Sequence, residues 1–163
     1  MSMFEDDRYR WRETYFVLFD VQNRPSTERV QRALAALGDR YLVQNLKGDE
    51  RGNFESVTVL APGDFAALDI CYLEGEEVEE QTSELVKEMK LAACDPGDHG
   101  KLKQIKQANA RFDVLHFEQL VVQDSEEDDE DEMLDPGAAL IVLAALSRLT
   151  HGVAVDPQSG TIV

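Results

Sequence analysis

Three strand-like segments follow one another near the middle of the chain, with only short turns between them. They span residues 40–47, 54–61 and 66–74, and the last two are rich in β-branched, aromatic and other apolar residues. Consecutive strands joined by short turns pair antiparallel, because a parallel pair needs a crossover connection of a dozen or more residues. This feature excludes a doubly wound fold, which requires a regular alternation of strands and helices.

The segments on either side of this block predict three helices and further strands. Ser26 is a good N-cap for a helix that Gly38 ends. Residues 76–93 have the apolar spacing of an amphipathic helix, and residues 138–149 are apolar almost all round, which predicts the most buried helix. The remaining strands are predicted at residues 15–19 and 112–122 and in a hairpin over 152–163. The resulting order is β-α-β-β-β-α-β-α-β-β.

This order predicts an α+β fold with a single two-layer domain, in which about three helices pack mainly on one face of a mixed or antiparallel sheet. Residues 1–13 are interpreted as a polar N-terminal arm that carries aromatic residues, and residues 14–163 as the domain, with an acidic loop at 123–134. The basic segment 101–110 is only weakly amphipathic and predicts at most a short surface helix.

The charge balance limits the function classes that fit. The chain has 16 Lys and Arg against 33 Asp and Glu, and its formal net charge is −17. Direct binding of nucleic acid is disfavoured, because that affinity depends on clustered Lys and Arg. The seven consecutive acidic residues 126–132 are typical of a solvated loop. Contact with a basic partner, or mimicry of a nucleic acid, stays open as another use of the acidic surface.

One group of residues could carry chemistry. His116 and Glu118 share a face of their predicted strand, and Asp69 and Cys71 share a face of another. If the two strands ran side by side, these residues could form a His/Cys/carboxylate metal site with Asp69 and His116 as ligands. They could instead form a Cys–His nucleophile pair from Cys71, His116 and Glu118. A partly buried histidine bonded to a neighbour is the alternative.

No recognised motif strengthens that group. The chain has no Cys-x-x-Cys, no His-Glu-x-x-His, no Gly-x-Ser-x-Gly, no Gly-x-Gly-x-x-Gly and no P-loop. The sequence therefore predicts no cofactor and no resident metal.

Three segments resemble an uncharacterised family of acidic bacterial proteins of unknown function. They are RWRETYFVLFD at 10–20, ALDICYLEG at 67–75 and GVAVDPQSG at 152–160. The resemblance spans most of the chain, and it implies no catalytic residue.

Taken together, these features favour a non-enzymatic protein–protein interaction or regulatory module that binds a protein partner or self-associates as a homodimer. Two alternatives remain: a small metal-dependent or Cys/His hydrolase built around Asp69, Cys71, His116 and Glu118, and an acidic nucleic-acid mimic. The N-terminus has early acidic residues, and no apolar run approaches the ~20 residues of a membrane span. The chain has only two cysteines. These features predict a cytoplasmic protein with no membrane contact.

Overall fold

The computed structural model of the chain describes residues 6–92, 98–120 and 137–163. The predicted acidic loop at 123–134 and residues 1–5 of the predicted arm lie outside the described residues. The strands are β1 (Tyr9–Phe19), β2 (Leu42–Gly48), β3 (Phe54–Ala61), β4 (Ala66–Glu74), β5 (Ala110–Gln119), β6 (Val153–Asp156) and β7 (Thr161–Ile162). The helices are α1 (Thr27–Ala35), α2 (Glu76–Ala92), α3 (Asp98–Lys106) and α4 (Gly137–Thr150).

All seven strands form one antiparallel sheet in the order β2-β3-β4-β5-β1-β6-β7. The block β2-β3-β4 pairs in sequence, as its short connections require. The α+β class and the antiparallel pairing are therefore confirmed.

The helices cover both faces of the sheet. Val17 and Phe19 of β1 point to one face, where they share a core with α1 and α4. Phe16 and Leu18 point to the other face and pack with α2 and α3. The helices were predicted to lie mainly on one face, in a two-layer domain. Only α1 and α4 share a face; α2 and α3 cover the other face, so the domain has three layers.

Strand β1 starts earlier than predicted, at Tyr9 instead of residue 15. Residues 9–13, which the sequence predicts to be part of the N-terminal arm, instead pair with the second half of β5. The register shifts between Trp11 and Glu13, which is the irregularity expected of a β-bulge. This bulge decides which side chains of β1 lie opposite those of β5.

Local sequence signals account for the helix boundaries. The Ser26 hydroxyl accepts a hydrogen bond of 3.1 Å from the Arg29 amide, as expected of an N-cap. Gly75 is the single residue between β4 and α2. Its φ is +113°, a backbone conformation that residues with a Cβ rarely adopt. The basic segment does form a helix, α3, because Leu102 and Ile105 bury one narrow side of it.

Candidate functional site

The four residues of the predicted catalytic or metal-binding cluster lie on two faces of the sheet. Strands β4 and β5 do run side by side, but His116 pairs with Leu68 and not with Asp69. Directly paired residues share a face, so His116 and Glu118 point toward the α1 and α4 layer, whereas Asp69 and Cys71 point toward the opposite side. The sheet therefore separates the histidine from the cysteine.

The surroundings of Cys71 oppose a nucleophilic role. Burial of the thiol, followed by the negative charges of Asp69 and Asp113, raises the pKa of Cys71 above its usual value. A reactive cysteine needs a lowered pKa, because the thiolate is the nucleophile. Asp69 itself accepts a 2.8 Å hydrogen bond from the Thr58 hydroxyl.

Glu118 binds arginines of the neighbouring strand. One of its carboxylate oxygens lies 2.7 Å from a guanidinium nitrogen of Arg10 and 3.4 Å from one of Arg12. This carboxylate is therefore engaged in two partly exposed ion pairs at the end of the sheet. It is not directed at His116.

His116 instead belongs to a small buried polar cluster. Its Nδ1 lies 3.0 Å from Oε1 of Glu13, and the same oxygen accepts a 2.8 Å hydrogen bond from the Tyr15 hydroxyl. The His116 side chain is fully buried, and its Nε2 has no hydrogen-bond partner among the described residues. Burial, and then the hydrogen bond to Glu13, raise the pKa of Tyr15.

The cluster of Glu13, Tyr15 and His116 has the carboxylate–histidine contact of many catalytic and metal sites, but it lacks their other components. The described part of the chain has no group of three or more His, Cys, Asp or Glu residues placed to hold a metal ion. The contact matches the predicted alternative of a histidine bonded to a neighbour. Sequence reasoning missed Glu13 as that neighbour, since only the register after the bulge brings it opposite His116.

Helix α4, whose composition predicts the most buried helix, is buried along one side and presents an apolar surface on the other. Leu140 is 41 % exposed and Ile141 is 44 % exposed, and Ala144 is exposed one turn later. These three residues recur at helical spacing and are named the α4 stripe here. The opposite side of the helix is buried in the core, so the stripe sits on a fixed support.

A cleft of about 450 Å³ lies beside the α4 stripe. Lys101 and Gln104 of α3 form one wall, and the other walls come from α4 and from the β6–β7 edge of the sheet. Gln104 donates a hydrogen bond to the His151 carbonyl, which ties α3 to the turn after α4. The volume is within the range of pockets that accept a small ligand or one large anchoring side chain.

Helix α2 carries the densest exposed negative charge among the described residues. Its six glutamates between Glu76 and Glu88 are all exposed. They extend over about 18 Å of helix, but four of the six lie within the first ~6 Å, so their spacing is less regular than the one phosphate per ~3.4 Å of a single DNA strand. A solvated helix surface has the same appearance, so nucleic-acid mimicry stays a prediction.

No family model, curated protein or solved structure matches this chain. None of the described helices is both long and apolar enough to cross a bilayer.

Proposed function

We propose that this protein is a non-enzymatic protein-binding module that receives a helix of a partner protein on the α4 stripe. The observation that carries the proposal is the exposure of Leu140 and Ile141 on a helix whose opposite side forms part of the core. Exposed apolar residues that cluster on one surface are typical of interaction sites. A neighbouring helix would bury them by the usual packing of helix side chains.

The size of the stripe suits a modest, reversible interface. Full burial of a leucine or isoleucine side chain contributes about 1.5–3 kcal/mol, so the exposed part of Leu140 and Ile141 contributes on the order of 1 kcal/mol each. The adjacent cleft offers a place for one bulky side chain of the partner, which is how most interfaces obtain their central contact. Because α4 is held by the core, little ordering is needed on this side of the interface.

The environments of the candidate catalytic residues support a non-enzymatic role. Cys71 and His116 lie on opposite faces of the sheet, and the raised pKa of the thiol favours its unreactive form. A hydrolase built on these residues has no geometric support. We also place the module in the cytoplasm, where a free thiol such as that of Cys71 stays reduced.

The test uses a synthetic amphipathic helical peptide with Leu and Ala on one side and Gln on the other. Its binding to the full-length protein is followed by fluorescence anisotropy. The Leu140→Asp variant places a carboxylate in the stripe and should weaken binding by about tenfold or more, because a buried unpaired charge opposes association. The Leu42→Asp variant is the matched control, since Leu42 is 47 % exposed on the distant edge strand β2.

Weakening by Leu140→Asp but not by Leu42→Asp, with both variants folded by circular dichroism, is the expected result. Equal binding by both variants would overturn the assignment of the surface. Sedimentation of the protein alone is a second readout: a dimer that only Leu140→Asp dissociates would assign the stripe to a second copy of the chain, and would overturn the partner helix.

A further inference from the structure

We infer that the partner helix is acidic, with carboxylates on either side of its apolar residues. The inference rests on the proposed function of the α4 stripe and names the chemistry of what binds there. Its basis is the charge of the layer that carries the stripe, which is opposite in sign to that of the whole chain. Overall the protein has a net charge of −17.

Helices α1 and α4 form this layer and pack against each other. Their charged side chains are one glutamate and three arginines: Glu28, Arg29, Arg32 and Arg148. Glu28 pairs with Arg32 within α1, which leaves Arg29 and Arg148 without a carboxylate partner among the described ion pairs. The two helices therefore carry a net charge of +2, three arginines against one glutamate, in an acidic protein.

Two cations lie next to the apolar residues themselves. Arg148 follows Ala144 by one turn, and its Nε donates a 3.3 Å hydrogen bond to the Ala144 carbonyl. This contact draws the side chain back along the helix toward the stripe. Lys101 stands on the other side, in the wall of the cleft. No side-chain carboxylate lines the cleft in the described residues.

The opposite face of the sheet has the reverse charge. Helix α2 carries six glutamates against two lysines, whereas α3 on the same side carries three lysines and one aspartate. The negative charge of that side is therefore concentrated on α2, which repels an acidic helix. Complementary charge around an apolar centre steers association and excludes wrong orientations more than it adds affinity. An acidic amphipathic helix is thus attracted to the region between Arg148 and Lys101 and repelled by the exposed glutamates of α2.

The experiment compares three peptides with the same Leu and Ala positions and with Glu, Gln or Lys at every polar position. The Glu peptide should bind the full-length protein most tightly and the Lys peptide most weakly. Its affinity should fall as NaCl is raised, because exposed charges are screened. Lys101→Glu combined with Arg148→Glu should weaken the Glu peptide on the order of tenfold.

The matched control reverses two exposed lysines elsewhere, Lys47 on β2 and Lys87 on α2. It gives the same net charge, so an equal loss in this control would overturn a local effect and leave only general repulsion. Equal affinity for the Glu and Lys peptides, with the Leu140→Asp effect intact, would overturn the acidic partner while the binding function stands. Failure of every peptide to bind would overturn the proposed function itself.

Discussion

Removal of the Glu13 carboxylate should destabilise the fold far more than removal of an ordinary surface carboxylate. In Glu13→Ala, His116 Nδ1 and the Tyr15 hydroxyl lose their shared acceptor. His116 is fully buried and Tyr15 is almost so, whereas the Glu13 side chain that contacts both is 25 % exposed. Water entering at the exposed end of the space left by Glu13 replaces only part of the lost contacts. Each buried polar group left unpaired costs about 1–3 kcal/mol. We expect Glu13→Ala to lower the free energy of unfolding by about 2–4 kcal/mol.

Two further variants make this expectation specific. Glu118→Ala removes a carboxylate from the same face of the sheet, but its ion pairs with Arg10 and Arg12 are partly exposed and should contribute ~0–1 kcal/mol. In a His116→Phe background, Glu13→Ala should cost less than it does alone, because the histidine is no longer left unpaired. The phenylalanine ring in this background also fills the space that the imidazole of His116 occupies.

Urea unfolding followed by circular dichroism at neutral pH measures all of these free energies. If Glu13→Ala and Glu118→Ala destabilised the protein equally, the buried cluster would have no special role. The same conclusion would follow from a Glu13→Ala cost that is unchanged in the His116→Phe background.

Three further predictions concern other sites. In a Cys94→Ser background, Cys71 should react with iodoacetamide at neutral pH more slowly than free cysteine, because its pKa is raised; a faster reaction would contradict the inert assignment. Burial raises the pKa of Asp113 despite its neighbouring arginine, so NMR should show this carboxyl titrating above the usual range of aspartate. The folded state then holds this proton more tightly, so the contribution of Asp113 to stability falls as pH rises from its unfolded-state pKa through its folded-state pKa, and Asp113→Asn removes this contribution. Gly152→Ala should lower the free energy of unfolding by about 1–3 kcal/mol, as other overpacked core substitutions do. The reason is that a Cβ at this position would lie 2.7 Å from the Leu18 carbonyl oxygen. Thermal unfolding measures it, and an unchanged midpoint would show that the backbone relaxes.

The central strands show what the pattern of residues can predict. The predicted bounds of β3 and β4 agree with the structure, because each strand has a strong β composition and is bounded by turn residues. The N-cap at Ser26 is also confirmed, since capping is a local interaction that needs no tertiary information.

The start of β1 shows what composition misses. Residues 8–12 alternate cations with aromatic residues, a pattern that was interpreted as part of a polar arm and not as a strand. From Tyr9 onward they form a strand because β5 supplies a hydrogen-bonding edge, which is a long-range contact. Helix α4 is the complementary case: a segment that is apolar all round has no polar side to reveal which residues face outward.

The candidate site depended on register. The condition on which the candidate site depended is met, because β4 and β5 do run side by side, but His116 pairs with Leu68 and not with the adjacent Asp69. A difference of one residue moves every side chain to the other face, and β5 has buried apolar residues on both faces, so its hydrophobic pattern does not mark the register. The contact between Glu13 and His116 was hidden for the same reason, since a bulge in β1 fixes it.

The most direct measurement is chemical-shift mapping of the isotopically labelled protein during titration with the Glu-bearing amphipathic peptide. The largest amide changes should fall in the outer turns of α4 around Leu140 and Ala144, and in the α3 wall around Lys101. Perturbations centred on α2 or on the β2 edge, or spectra that never change as peptide is added, would contradict a binding surface on α4.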